Sequence, residues 1–91
     1  MSQPLAELPN LAEKTAGWLH AAGISSEHTL RQLGTIATCR KLLLNGQEIN
    51  LLMAYALAGA IHGHHWNKLP PALKQETRQD FHQLKQELGL K

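Results

Sequence analysis

The chain has 91 residues, 43% of them hydrophobic and 18% charged, with nine Lys or Arg against seven Asp or Glu and a net charge of +2. These values describe one small folded domain with a single modest core and exclude a disordered chain. The basic residues are scattered among acids, and the sequence shows no dense run of the kind that supports tight, sequence-independent nucleic-acid binding.

Aromatic residues are few: Trp18, Tyr55, Trp66 and Phe81. Leucine and alanine must fill the core, which favours helix over sheet. Five helical segments can be read between turn signals. The first runs from about Ala12 to Ala22. Asn10 caps it or sits in the turn before it, Glu13 suits its positive end, and Gly23 stops it. The second starts at Ser25 or Ser26, both good caps, and ends at Gly34. The third starts with Thr35 as its cap and ends at Asn45–Gly46.

The fourth segment carries the strongest pattern. Asn50 caps it, and Leu51, Ala54, Tyr55, Ala58 and Ile61 recur at helical steps. Its alanines and Gly59 thin its surface, so other helices can approach closely; it is expected to be the central buried helix and to end near Gly63. The fifth follows "LPP", because prolines are tolerated in a first helical turn. Leu73, Thr77, Phe81, Leu84 and Leu88 form its apolar line, and Gly89 ends it. No strand-like alternation and no repeat is visible. The expected architecture is a compact all-α domain of five helices, residues 1–91, with its core in about 8–88.

Three blocks carry a family resemblance: "LPNLAEKTAGWLHAAGI", a second short helix ending "LRQLG", and "INLLMAYALAGAIHGHHWNKLPP". In order and spacing they resemble the C-terminal domain of the TfoX/Sxy family, bacterial regulators of natural competence, over roughly residues 8 to 80. The specific parts are "LPNL" followed by Lys14, and an alanine-rich helix running into "G-x-HW-x-x-LPP". The resemblance implies a five-helix domain in the broad group of SAM-like and helix-hairpin-helix folds. In full-length members this domain follows an N-terminal α+β domain, for which 91 residues leave no room, so the chain resembles a stand-alone form. The family role, helping activate competence genes beside a DNA-binding activator, implies a regulatory partner.

A DNA-binding hairpin places glycine, a hydrophobic residue and glycine before a helix, so that backbone N–H groups can meet phosphate oxygens. Asn10, Leu11 and Ala12 hold those positions here. Asn10 can adopt the left-handed conformation of the missing glycine. Ala12 is the poorer substitute, since its methyl group obstructs close approach. Lys14 lies where hairpin modules carry a phosphate-contacting lysine, with Arg40, Lys41 and Lys68 as further cations. The competing reading is plain helix initiation, with Lys14 solvated beside Glu13, and the low net charge favours it.

"HGHHW", residues 62–66, raises zinc, for which His62 and His65 are the candidates on one helical face. No carboxylate or cysteine lies nearby in sequence, and a solvated helix end is the simpler reading. Trp66 is expected to clamp beneath the "LPP" turn. Cys39 is alone, so it forms no internal disulfide; it sits on an apolar face as a buried, inert thiol, and a reducing cytoplasm fits. There is no secretory signal, and the apolar run 51–61 is too short to cross a bilayer. No catalytic set, phosphate loop or cofactor motif is visible.

The sequence therefore points to a non-enzymatic regulatory module acting through protein–protein contacts. The alternative is direct nucleic-acid binding through the Asn10–Lys14 turn. Self-association through Leu84, Leu88 and Leu90 is a third possibility.

Overall fold

The computed structural model describes residue 5, residues 10–11 and residues 13–90. The elements are α1 (Glu13–Ala21), α2 (Glu27–Leu44), α3 (Leu51–His62) and α4 (Pro71–Glu87), with no strand among the described residues. Among the described residues the helices number four rather than five. The second and third expected segments run into one another, because Gly34 bends the path without a loop intervening. Its φ of 82° and ψ of 174° are non-helical, in a region that glycine alone adopts readily. Thr35, the expected cap, directly follows the kink, and buried Thr38 donates its hydroxyl to the Gly34 carbonyl at 2.8 Å.

Other boundary signals act as their chemistry requires. Ser26 accepts a hydrogen bond from the Thr29 N–H at 3.2 Å, and Asn50 Oδ1 accepts one from the Met53 N–H at 3.0 Å. Each satisfies a donor that the first helical turn leaves without a partner. Gly63 closes α3 in the left-handed conformation, and the His64 N–H reaches back to the Gly59 carbonyl at 2.8 Å. Pro71 begins α4, where its missing N–H costs no intrahelical bond.

α3 is the centre of the molecule. It packs against α2 and α4, which also touch each other. Ala54, Tyr55, Leu57, Ala58, Gly59, Ala60 and Ile61 are all buried, so this helix is apolar around most of its circumference and must be covered on several sides. α2 contributes Leu30, Cys39 and Leu42 to the core, α4 contributes Phe81 and Leu84, and α1 contributes Ala16 and Leu19. Ile24, in the turn between α1 and α2, is fully buried and fixes that corner. Shortening any fully buried leucine to alanine removes about 2–5 kcal/mol, a large share of what a small domain possesses.

Two arginines tie the helices at their ends. Arg31 of α2 donates to the Ile61 carbonyl at 2.6 Å while holding Glu27 at 2.8 Å. It thus satisfies one of the carbonyls that the last turn of α3 leaves open. Arg40 of α2 pairs with Glu87 of α4 at 2.7 Å. No helix among the described residues is long and apolar enough to cross a membrane.

Candidate interaction site

The Asn10 turn and the segment after α3 meet in one hydrogen-bonded clasp. Asn10 takes a left-handed φ of 69°, the one non-glycine residue with positive φ among those described. Its side-chain amide donates to the His64 carbonyl at 2.9 Å and to the Ala56 carbonyl at 3.3 Å. Its side-chain oxygen accepts the Trp66 N–H at 3.0 Å. Residues 46 to 56 positions apart are thereby locked together.

Gly59 makes the clasp possible. A Cβ there would lie 2.5 Å from Asn10 Nδ2 and closer still to the His64 carbonyl oxygen. No side chain fits without displacing one of them. The sequence reading took Gly59 as part of a generally thin helix; the structure assigns it a particular neighbour.

Above the clasp lies an open apolar groove lined by Asn10, Asn50, Leu52, Met53, Ala56 and Trp66. Leu52 is 56% exposed and Trp66 40%. Trp66 does not clamp beneath the prolines. Its ring tilts against His65 at the surface. Leu69 occupies the buried place instead, packed with Tyr55, Ala58 and Leu73. Leu69 is the side chain buried between α3 and α4 there, and the indole is left at the surface.

The other residues singled out in the sequence are dispersed. Leu11 is buried in the core, and Ala12 lies outside the described residues. Lys14 is exposed and places its ammonium 5.2 Å from the centre of the Trp18 ring within α1. Arg40 is engaged by Glu87 at the far end of α4. Lys41, in the last turn of α2, and Lys68, beyond the clasp, are exposed. Lys14 and Arg40 thus engage different elements. His62 and His65 are exposed, and His65 shares a hydrogen bond with Asn67. Among the described residues no three His, Cys, Asp or Glu side chains gather closely enough to hold a metal ion. Cys39 is fully buried, and burial pushes its thiol pKa up to about 12, so it carries no thiolate near neutrality. Leu84 is buried and Leu88 half-buried, closing the core, while Leu90 stays exposed.

A cationic face was missed. α4 carries Lys74, Arg78, His82 and Lys85, which at roughly 100° per residue fall within an arc of roughly 80°. Arg78, His82 and Lys85 line a groove of about 430 Å³ with Asn50, Leu51 and Phe81. Lys74 and Arg78 extend it along Tyr55. Read linearly, these bases alternate with Glu76, Asp80 and Glu87; read on a helical wheel, the acids fall on the opposite side. The signal was present, and only the helical period reveals it.

The comparisons agree with this architecture. The family model for the TfoX C-terminal domain matches residues 1–81, and the chain belongs to that family. A crystal structure of an uncharacterized protein from Listeria monocytogenes, in a triclinic form, is similar with a TM-score of 0.86 and 29% identity, over 91% of this chain and 94% of that one. A tetragonal form of a Listeria monocytogenes protein of unknown function gives a TM-score of 0.82 and 30% identity, over 88% and 99%. No curated protein matches the chain.

Proposed function

We propose that this member of the TfoX C-terminal domain family is a non-enzymatic regulatory module that acts in competence-type transcriptional control by binding another protein. The observation that carries the reading is the Leu52–Met53–Ala56–Trp66 groove, whose edge is held in place by the Asn10 clasp. An exposed tryptophan on a prefixed surface, with apolar neighbours around it, is a usual anchor of a protein interface, because ordering it on binding costs little further entropy. The residues quoted for the family resemblance, Asn10 and the segment around Trp66, are the ones that build this edge.

Direct nucleic-acid contact through the Asn10–Lys14 turn has one feature in its favour, the left-handed Asn10 that stands in for a hairpin glycine. Against it, the Asn10 side chain is turned inward onto three backbone groups, and Lys14 and Arg40 engage different elements. A phosphate would meet few cations there.

The test is capture from lysate of the native cell with the tagged chain, with and without nuclease, beside a Leu52→Glu/Trp66→Ala variant. Proteins retained after nuclease and lost on the variant support the reading. Retention that disappears with nuclease would replace it with the nucleic-acid alternative.

A further inference from the structure

We propose that the groove between α3 and α4 is a second docking surface, and that it receives an acidic amphipathic helix of a partner protein. The inference rests on the reading of the chain as an interaction module only for its biological setting. The chemistry comes from the groove itself.

The basic wall is α4. Lys74, Arg78 and His82 succeed one another at four-residue steps, a rise of roughly 6 Å each, and Lys85 completes about three turns. None of these has a carboxylate partner among the described residues, where the ion pairs are Glu27–Arg31 and Arg40–Glu87. No carboxylate lines either stretch of the groove. Lys85 also borders the neighbouring groove, which holds Glu48. The side chains of Lys74 and Lys85 are held over the rings of Tyr55 and Phe81, 5.7 and 5.9 Å from their centres. Each cation thus sits beside a ring that borders the groove.

The floor is apolar, made by half-buried Leu51 with Phe81 and Tyr55. A ligand that fits must present carboxylates in a row and apolar side chains beside them. A helix with Glu or Asp at i, i+4 and i+8 repeats the same spacing of roughly 6 Å, and an adjacent leucine stripe faces the floor. Nucleic acid fits less well. Phe81 and Tyr55 are buried and offer no face for base stacking, and a phosphate backbone brings nothing apolar to the floor.

The test uses the purified full chain, labelled with nitrogen-15, and a designed helical peptide of about five turns, with Glu at three successive four-residue steps and leucines on the adjacent stripe. Matched probes are the same peptide with Gln for each Glu, the same peptide with Lys for each Glu, and a short DNA duplex. The acidic peptide should shift the amides of Leu51, Arg78 and His82. It should bind about tenfold more tightly than the Gln peptide, the effect that a few exposed charge pairs supply together. Arg78→Glu/Lys85→Glu should lose this preference and gain one for the Lys peptide. Arg78→Gln, which alters one exposed side chain, should weaken acidic-peptide binding by a smaller factor and guards against misfolding of the double variant. Equal binding of the acidic and Gln peptides, no binding of either, or shifts of the same amides by duplex at lower concentration would each overturn the proposal. Capture of proteins through the Leu52–Trp66 groove would survive any of those outcomes, so the two readings fail separately.

Discussion

Replacing Gly59 by alanine should destabilise the domain, although the same exchange inside a helix ordinarily stabilises by about 1 kcal/mol. The added methyl would crowd the Asn10 amide and the His64 carbonyl far inside ordinary contact distance. Neither can retreat without breaking the clasp, whose three hydrogen bonds measure 2.9, 3.0 and 3.3 Å. At about 1 kcal/mol each they represent about 3 kcal/mol. Setting the helical gain against that loss leaves a net cost of about 2 kcal/mol, before any residual overpacking. For a domain of this size that lowers the melting temperature by about 8–16 °C. Gly17 of α1 is the internal control: it is exposed, and a Cβ there meets nothing within 4 Å. Gly17→Ala should raise stability by about 0.5–1 kcal/mol. Thermal melts monitored by circular dichroism read both. In an Asn10→Gly background, Gly59→Ala should cost less, because the amide it displaces is already gone. If Gly59→Ala melts at or above the wild type, the clasp is not what makes that position a glycine.

Three further outcomes rest on single residues. Gly34→Ala should cost about 1–3 kcal/mol; no neighbour lies within 4 Å of the new methyl, so the penalty is conformational, and an unchanged urea midpoint would refute it. Asn10→Ala should be worse than Asn10→Gly by about 1 kcal/mol, since both lose the amide but only glycine keeps the left-handed backbone without strain; equal midpoints would mean that φ there carries no cost. Cys39 stays protonated in the folded chain up to about pH 12 but ionises from its ordinary 9.0 when unfolded, so the unfolded state gains as pH rises from 9 towards 12. Relative to Cys39→Ala, the wild type should lose up to about 1.4 kcal/mol of stability per pH unit across that window, and parallel pH profiles of the two proteins would contradict a buried thiol.

Local signals were legible wherever one residue type has one physical reason to be present. Ser26 and Asn50 cap helices, Gly63 and the paired prolines mark boundaries, and an alanine-rich stretch too apolar for one exposed face lies at the centre. The break expected at Gly34 is present as a non-helical kink rather than a loop, because Gly34 carries the same signal whether a turn or a further helix follows it. The next ten residues decide between the two, and 35–44 continue as helix without a loop. Trp66 was misplaced for a different reason. Which side chain of this segment packs on α3 is a tertiary matter that no local pattern encodes, and Leu69 takes that place. The clasp could be read only in halves: the left-handed tendency of Asn10 was visible, but its partners lie 46 to 56 residues away.

The sequence reading weighed charge as a sum, and the geometry of α4 shows why a sum is a poor guide to what one face presents. Ionic screening at physiological salt fades interactions beyond about 8 Å, while the two sides of a helix with its side chains stand about 10 Å apart. Glu76, Asp80 and Glu87 therefore weigh little on a ligand that meets Lys74, Arg78 and Lys85. Glu87 is further engaged by Arg40, and Asp80 lies in the groove between α2 and α4, not the one beside α3. A chain of net charge +2 can thus present three neighbouring cations on one face, because what a partner meets is the arrangement of charge within a screening length and not its total.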